Sequence, residues 1–332
     1  MTSLHFVCPA CGGALADQAE ALRCAACGRS YPILFGIPDL RLTGDRYLSL
    51  EADRERAAEL HAAAEKGMSF DALLHFYWER TEKTPASIAA RHIDGVRRSV
   101  EESRVMISAL AGGRLLDVGC GAAGALVAAA QSRGFADVFG VDSALRWLVL
   151  ARQRLRETGT ADAVKLAAAS AEALPFSEGV FDAVLLRHVL EHVGDPAEVI
   201  AAAARVLVPR GRLGIETFHR WAPTPEPHVG LLGVAWLPRK LQRAYVRWRT
   251  GDDYGAISLP SRREVLGSIR RLRLDFRGFL FGPVTAGQRA SVSPRLRPLL
   301  PIYTSLARTR WGRRLLSHVG PILRLTAVKS PP

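Results

Sequence analysis

The stretch "LLDVGCGAAGALV", residues 115–127, decides the fold. Its three glycines, Gly119, Gly121 and Gly124, have the spacing that turns a strand sharply into a helix and brings backbone close to a nucleotide. Asp117 stands two residues before the first of them, at the end of the predicted strand. A carboxylate there would repel a pyrophosphate and attract a cation. The stretch therefore favours a cofactor that carries positive charge and no phosphate.

Outward from this loop, short apolar runs alternate with helical segments. Strands are predicted at 114–119, 137–142, 164–170, 181–188, 211–217, 274–283 and 322–329, and helices at 124–134, 143–159, 196–208, 261–273 and within 295–317. Strict alternation in the first half of this region indicates a parallel sheet with helices on both faces. We predict an α/β fold, Rossmann-like and doubly wound, with a mostly parallel seven-stranded sheet over 112–332. A cap insertion at about 218–260 follows the fifth strand.

Four of the five cysteines lie near the start of the chain, as two C-x-x-C pairs each followed by glycine: Cys8, Cys11, Cys24 and Cys27. Two such pairs supply a tetrahedral four-thiolate site, which suits zinc. A module this short holds no core without its metal, so zinc binding would supply its folding energy. We predict a structural zinc ribbon at 1–44 whose core is separate from that of the larger domain.

Residues 45–111 are rich in Ala, Glu, Arg and Leu, with Pro85 as an interruption, and are predicted to form a helical lead-in or lid. The hydrophobic fraction of 48% is that of an ordinary globular protein, and no apolar run is long enough to span a membrane. The start shows no basic region followed by an apolar one, so we expect a cytoplasmic protein with reduced cysteines.

The positive charge is concentrated in the last third of the chain. The formal net charge is +13, and the residues from Arg205 onward hold 24 Lys and Arg against 6 Asp and Glu. Such a surface favours phosphates, nucleic acid or anionic lipid head groups. An Arg-rich surface that binds only water is the alternative interpretation.

Four segments, at 115–124, 138–144, 171–196 and 205–217, resemble in order and spacing the motifs of class I S-adenosylmethionine-dependent methyltransferases, most closely the type 11 small-molecule branch. Residues 5–42 resemble the Trm112-like zinc ribbons found on many bacterial methyltransferases. These ribbons are structural or bind partners, so the resemblance implies no catalytic role for zinc.

The resemblance to the methyltransferases implies a role for each matching position. Asp117, Gly119 and Gly121 would hold the methionine part of S-adenosylmethionine, with Cys120 filling a small-residue position and Gly124 opening the helix. Asp142 would bind the ribose. Ala171 and Glu172 would flank the adenine, and His188 would lie beside the methyl-transfer site.

Some acceptors are excluded by missing residues. Methylation at carbon 5 of a pyrimidine needs a nucleophilic cysteine, and four cysteines are assigned to zinc while Cys120 lies in the cofactor loop. The slot that carries Asn- or Asp-Pro-Pro-Tyr/Phe in adenine-N6 and glutamine methyltransferases reads Leu186-Arg187-His188-Val189. We therefore expect O-, N- or C-methylation of a smaller acceptor, with oxygen favoured.

The cap insertion supplies candidates for a general base. It offers His219, Glu226 and His228, and "PEPHVG" places a carboxylate two residues from an imidazole in a proline-stiffened loop. We predict His228 as the base, assisted by Glu226, with His188 as a further catalytic candidate. Glu191 and His192 are interpreted as residues that organise the loop and helix after the fourth strand, with a catalytic role as the alternative. A hydrogen bond that only stabilises the loop is the other interpretation of the His228–Glu226 pair.

The segment "GLLGVAWLPRKLQRAYVRWR", residues 230–249, mixes aromatic and aliphatic residues with five basic side chains. This composition is typical of a helix at an anionic membrane surface, of an RNA-binding helix, or of a cap helix packed on the sheet. We favour a small-molecule, glycan or lipid-linked acceptor. The alternatives are a ribosomal RNA base methyltransferase with an N-terminal ribbon, and a catalytically degenerate scaffold.

Overall fold

The computed structural model describes residues 6–81, 86–292 and 296–331. The predicted interruption at Pro85, the residues before Phe6 and the first residue of the predicted 295–317 segment lie outside these ranges. Within them, no helix combines the length and apolar character needed to cross a bilayer.

The N-terminal residues form a small antiparallel sheet. Its strands, in both chain and spatial order, are β1 (Leu15–Gln18), β2 (Ala21–Cys24), β3 (Ser30–Leu34) and β4 (Ile37–Pro38). Phe35 and Gly36 have φ values of 55° and 73°, so the β3–β4 turn uses the left-handed region at both positions. The residues after the second cysteine pair therefore form a strand and a tight turn that complete the ribbon.

Three helices connect the two sheets: α1 (Leu50–Glu65), α2 (Phe70–Glu79) and α3 (Ala86–Leu110). Ser49 and Ser69 cap the first two, each accepting a hydrogen bond from a backbone N–H in the first turn. They pack on helices of the large domain, so this segment is a layer around the sheet.

The large sheet contains seven strands: β5 (Arg114–Val118), β6 (Asp137–Asp142), β7 (Val164–Ala168), β8 (Phe181–Arg187), β9 (Leu207–Phe218), β10 (Leu274–Phe279) and β11 (Ile322–Lys329). Their spatial order is β10-β11-β9-β8-β5-β6-β7. The five strands β9, β8, β5, β6 and β7 are parallel to one another. Strand β11 is antiparallel to both of its neighbours, β9 and β10. The predicted mostly parallel seven-stranded sheet is confirmed.

The remaining helices are α4 (Gly124–Ser132), α5 (Leu145–Glu157), α6 (Pro196–Val206), α7 (Arg239–Thr250), α8 (Arg262–Arg271), α9 (Ala286–Ser291), α10 (Leu300–Arg308) and α11 (Arg310–Val319). The chain order runs outward from β5 through β6 to β7, and from β8 to β9 on the other side. The direction reverses between β5 and β8, and ligands of open α/β sheets bind beyond the strand ends at such a reversal.

The predicted start of the helix after β8 is confirmed. The helix after β8 begins at Pro196, with the Asp195 side chain accepting a hydrogen bond from the N–H of Ala197, so Glu191 and His192 lie in the preceding loop. Pro at the first helical position and Asp at the cap together fix that start.

The expectation that the ribbon has a core separate from that of the large domain is wrong. Leu22 and Tyr31 of the ribbon belong to the same buried cluster as Leu116 and Phe139 of the large sheet. The N–H of Leu40 donates to the carbonyl of Ala168 on β7, at 2.8 Å. The reason is that β7 is an edge strand, whose unpaired backbone groups need partners, and the residues that follow β4 supply them.

Candidate functional site

A cavity of about 1890 Å³ opens at the carboxyl ends of β5, β6 and β8. Its walls come from the glycine loop, the loops after β6, β7 and β8, the cap, and the segment around α9 and α10. Cavities for small ligands usually measure about 300–1,000 Å³. This cavity is therefore large enough for a cofactor and a second molecule side by side.

The glycine loop forms one wall of the cavity. Gly119 and Gly121 have φ values of 70° and 48°, in the region where a side chain is strained. A Cβ at Gly121 would meet open space, whereas one at Gly124 would collide with Ser99 of α3. The third glycine is thus required for helix packing, and the second exposes backbone to the cavity. Cys120 between them is buried, and burial raises the pKa of its thiol well above the usual value.

Asp117 is a buried carboxylate on the cavity wall, and its Oδ1 has no hydrogen-bond partner in the structure. Burial raises the pKa of this carboxyl to about 8, although Arg187 acts in the opposite direction. A buried polar atom without a partner is costly, so it points to a ligand. A cationic group bound beside Asp117 would supply the missing contact.

Asp142 joins the glycine loop to the start of α5. Its Oδ2 accepts a hydrogen bond from the N–H of Gly121 at 2.8 Å, and its Oδ1 accepts one from the N–H of Ala144 at 2.9 Å. Each carboxylate oxygen keeps a further lone pair for a hydroxyl donor. Ala171 and Glu172 also line the cavity, and Glu172 is exposed at its edge.

His188 lies between two buried glutamates. Its Nδ1 is 3.2 Å from Oε1 of Glu191, and its Nε2 is 3.2 Å from Oε1 of Glu216. Burial would lower the pKa of the imidazole, but the two carboxylates outweigh it and raise that pKa. The ring stacks on Phe218 with centroids 4.5 Å apart. A protonated ring with both nitrogens facing carboxylates has no lone pair to offer as a base.

Glu216, at the end of β9, is the centre of this ion cluster. Arg324 Nε lies 2.6 Å from its Oε2 and Arg187 Nε 3.0 Å from its Oε1, and these cations lower the pKa of Glu216 far below its usual value. Glu191 accepts a hydrogen bond from Thr217 Oγ1 at 2.9 Å, and the contact with His188 outweighs burial and lowers the pKa of Glu191 to about 2. The sequence contained one unused signal for this cluster, a glutamate directly after the apolar residues 213–215 of a predicted strand.

The structure brings His228 and Glu226 together at the cavity. Glu226 is buried, and its Oε1 lies 2.6 Å from Nδ1 of His228. Its Oε2 accepts hydrogen bonds from the N–H groups of His228 and Val229, both at 2.8 Å. Because a carboxylate only accepts, Nδ1 of His228 carries a proton, and in the neutral ring the lone pair is then on Nε2.

His219, the other histidine predicted from the cap, is not among the residues that line the cavity. It is buried, its Nδ1 lies 3.2 Å from the carbonyl oxygen of Gly320, and burial lowers its pKa to about 4. It therefore ties the end of β9 to the start of β11.

Sequence reasoning missed four aromatic residues of the cavity wall. His192 contacts His228 edge to face, with ring centroids 5.0 Å apart, and its Nδ1 is 2.9 Å from the Tyr47 hydroxyl. His92 stacks on Trp78 at 5.0 Å, and burial lowers the pKa of both His92 and His192 to about 4. Tyr47, Trp78 and His92 come from the segment interpreted only as a helical lead-in, where no local pattern marks them.

The four N-terminal thiols converge on one point. Their sulfur atoms all lie within 4.8 Å of one another, with Cys8 and Cys27 3.7 Å apart and Cys11 and Cys24 3.5 Å apart. A zinc–sulfur distance of about 2.3 Å in a tetrahedron requires sulfur separations of about 3.8 Å. Disulfide bonds would require about 2.05 Å. The geometry fits a four-thiolate metal ion.

Comparison with known proteins places this site in a family. A family model described as "Methyltransferase domain" matches residues 116–215. The ubiquinone biosynthesis O-methyltransferase of Paracidovorax citrulli (strain AAC00-1) is 34% identical over 183 residues, which cover 54% of this chain and 71% of that protein. The enzyme of the same name from Pseudomonas aeruginosa (strain UCBPP-PA14) is 30% identical over 223 residues, covering 65% and 86%.

Among solved structures, geranyl diphosphate C-methyltransferase from Streptomyces coelicolor A3(2) is similar with a TM-score of 0.47 and 19% identity, covering 69% of this chain and 76% of that one. The match to the family model includes the glycine loop, the end of β6 and the loop after β8, which meet at the cavity. The chain therefore belongs to the class I S-adenosylmethionine-dependent methyltransferases and is an enzyme of that class.

Proposed function

We propose that the protein transfers a methyl group from S-adenosylmethionine to a hydroxyl oxygen of a lipid-linked quinone precursor. The observation that carries this proposal is the His228–Glu226 pair: Glu226 holds Nδ1 of His228, and His228 lines a cavity large enough for the cofactor and a second molecule. The names of the two curated relatives support the choice of acceptor, because both describe O-methylation in ubiquinone biosynthesis.

The cofactor end of the cavity is assigned from the sequence motifs and the fit of the site. Asp117 and the backbone of Gly119 and Gly121 would hold the methionine part, because the unpartnered Asp117 oxygen matches an ammonium group. Asp142 would accept the ribose hydroxyls. Cys120 and Gly124 shape the loop, and Ala171 and Glu172 would flank the adenine. When bound, S-adenosylmethionine supplies an electrophilic methyl group.

In this proposal His228 acts as the general base. Its Nε2 would accept the proton of the acceptor hydroxyl during methyl transfer. This proton transfer would increase the rate beyond the increase that comes from aligning acceptor and methyl group. Glu226 holds the ring in the required tautomer and stabilises the imidazolium that forms. His188, fixed by Glu191 and Glu216, is better suited to position Phe218 beneath the acceptor than to move a proton.

An apolar wall on the C-terminal side of the cavity suits the lipid part of the acceptor. Leu280, Val284, Leu300 and Ile322 line this side. Tyr303 of α10 also lines the cavity, while its neighbour Ile302 is exposed on the outer surface. The helix α10 thus separates the cavity from the outside by one layer of side chains, and an acceptor tail would pass along it.

We further propose that the protein rests on an anionic membrane through exposed tryptophan and arginine side chains of its C-terminal third. Trp311 on α11 is 81% exposed and Trp248 on α7 is 75% exposed, and Leu315 is exposed beside the first of them. No acidic residue follows Asp275 in the chain, whereas ten Lys and Arg do. Exposed tryptophan among arginines is the composition of a helix lying at an anionic lipid surface.

Methyl transfer is tested with labelled S-adenosylmethionine and a polyprenylated catechol. His228→Ala should lower turnover by about 10²-fold or more, the range for a general base, with cofactor affinity unchanged. His75→Ala, an exposed histidine on α2, is the matched control and should be fully active. Transfer to nitrogen or carbon acceptors but not to the catechol would overturn the proposed acceptor.

Membrane contact is tested by sedimentation with vesicles that contain phosphatidylglycerol or only phosphatidylcholine. Arg310→Glu and Trp311→Ala should each weaken binding to the anionic vesicles, and salt should weaken it further. Arg23→Glu on the ribbon makes the same charge change on a different surface and should have no effect. Binding to a hairpin RNA in preference to anionic vesicles would overturn the membrane proposal.

We also propose that the four-cysteine cluster holds one structural zinc ion. The sulfur separations support it, as does the hydroxyl of Tyr31, which lies 3.1 Å from Cys8 Sγ and would donate to a thiolate. Metal analysis of protein purified without chelator should find one zinc per chain, and its absence would contradict the assignment.

A further inference from the structure

We propose that Arg41, at the end of the ribbon, is a positioning residue for the cofactor site, and that the folded ribbon thereby raises the affinity for S-adenosylmethionine. This proposal rests on the ribose-binding role proposed above for Asp142. It adds to the cofactor site residues that lie well outside 116–215, the region that the family model matches.

The guanidinium of Arg41 is buried and contacts three different segments. Its Nε and Nη2 donate to the two carboxylate oxygens of Asp39, at 2.7 and 2.9 Å. Its Nη1 donates to the Asp53 carboxylate on α1 and to the backbone carbonyl of Ser143, the latter at 2.8 Å. Ser143 directly follows Asp142. One ribbon side chain therefore holds the loop that carries the proposed ribose ligand.

The loop it holds leads into the N-terminus of α5, which depends on side chains from elsewhere. The cap position of α5 is Ala144, which has no capping side chain. The first N–H groups are satisfied by Asp142, which accepts from Ala144, and by Asp53, which accepts from Leu145 at 2.8 Å. Unsatisfied N–H groups at a helix start need such partners. Asp142 and Asp53 therefore act together, and Arg41 orients Asp53.

Arg146 in the first turn of α5 completes the network. It contacts Asp53 and also Asp45, the latter at 2.8 Å, and all three side chains are almost fully buried. Asp45 belongs to residues 44–48, which line the cavity. Buried ion pairs are sensitive to the loss of one partner, because the remaining charge is left without compensation. Removing the Arg41 guanidinium would therefore disturb the cavity wall on both sides of Asp142.

The place of Arg41 is set by the ribbon fold. The neighbouring Leu40 is bonded to Ala168 at the end of β7, and Asp39 pairs with the same residue as an isolated parallel bridge. The residues preceding Asp39 form β3 and β4, and β3 pairs with β2, which ends at Cys24 of the cysteine cluster. Loss of the metal would release this segment and, with it, the contact between Arg41 and the loop after β6.

The experiment is titration calorimetry of the full chain with S-adenosylmethionine. Arg41→Met should raise Kd by about tenfold, the scale of coupling within one buried network. Arg41→Lys keeps the charge and should recover part of the affinity. Arg54→Met is the matched control: Arg54 also donates to Asp39, at 2.9 Å, but its side chain is 36% exposed and, within the described residues, it makes no hydrogen bond to Ser143. It should change Kd by less than about twofold.

A merely structural role is distinguished by two further readouts. Zinc content and thermal unfolding show whether each variant is folded at the temperature of titration. Hydrogen exchange at the amides of Ala144 and Leu145 should speed up in Arg41→Lys, which is the milder change, while exchange in β8 and β9 stays unchanged. Chelation of the metal from the wild-type chain should raise Kd in the same direction.

The outcomes separate this inference from the function proposed above. If the wild-type chain does not bind S-adenosylmethionine, the cofactor assignment itself fails. If the wild type binds and the folded Arg41→Met and Arg41→Lys variants bind equally well, with unchanged exchange at Ala144 and Leu145, only the positioning role of Arg41 fails. An equal loss of affinity in Arg54→Met would also overturn it, because the effect would then come from Asp39 alone.

Discussion

Raising the pH is expected to tighten binding of S-adenosylmethionine, because Asp117 must lose a proton to pair with a cation. Burial raises the pKa of this carboxyl to about 8, and its Oδ1 has no hydrogen-bond partner in the structure. At neutral pH the free protein therefore carries a proton on Asp117. A bound ammonium favours the ionised form, so binding releases that proton and affinity falls as the pH falls.

The magnitude follows from the pKa. With a value of about 8, the ionised fraction of Asp117 is about 1% at pH 6 and about 24% at pH 7.5. Apparent affinity should therefore rise by about 25-fold over this interval, a difference of about 1.9 kcal/mol. The ammonium of the ligand, with an ordinary α-amino pKa of about 8, is itself partly deprotonated at pH 7.5, so the 25-fold rise is an upper limit.

The assay is titration calorimetry at both pH values, in buffers of different ionisation enthalpy. The wild type should show release of nearly one proton per ligand at the lower pH. Asp117→Asn should bind weakly and with little dependence on pH, while Asp162→Asn, an exposed aspartate, should behave as the wild type. An affinity that does not change with pH, or an Asp117→Asn variant with the full 25-fold change, would refute the reasoning.

Three other outcomes follow from the site and the ribbon. Cys24→Ser should abolish zinc binding and, because the core is shared, lower the Tm of the whole chain in scanning calorimetry. His228→Ala should lower turnover by about 10²-fold or more while Kd for the cofactor stays within about twofold. Glu216→Gln should lower the pKa of His188, as measured by NMR titration. In the wild type the raised pKa of His188 stabilises the fold at low pH, and this stabilisation is lost as the pH rises through the pKa of the folded state.

The strands of the sheet were predictable because their signal is local. Each of 114–118, 137–142 and 322–329 is an apolar run of strand length bounded by turn residues, and the structure has strands at these places. The positions of Asp117 and Asp142 at strand ends followed directly, because parallel strands place their carboxyl ends at one edge of the sheet.

Contacts between distant segments were not predictable from the same patterns. The charge state of His188 depends on Glu216, and the orientation of His192 on Tyr47, and no periodicity connects residues so far apart. The cysteine spacing predicted a metal site but could not show that the ribbon would dock on the edge strand β7. That docking depends on hydrogen-bond donors and acceptors of the main chain, which every sequence carries.

In the proposed function, different parts of this chain bind the cofactor and the acceptor. The proposed cofactor residues, from Asp117 to Glu172, all lie within residues 116–215, the match to the methyltransferase family model. His228 and Tyr303 lie after that region, and Tyr47 and His92 before it, yet all four line the same cavity. In the proposed function, the matched region binds the methyl donor, and the cap, the C-terminal helices, α3 and the segment that joins the ribbon to α1 would shape the acceptor site. Because Arg41 and Asp45 hold that joining segment against α5, exchanging the ribbon between relatives should alter acceptor choice and cofactor affinity together.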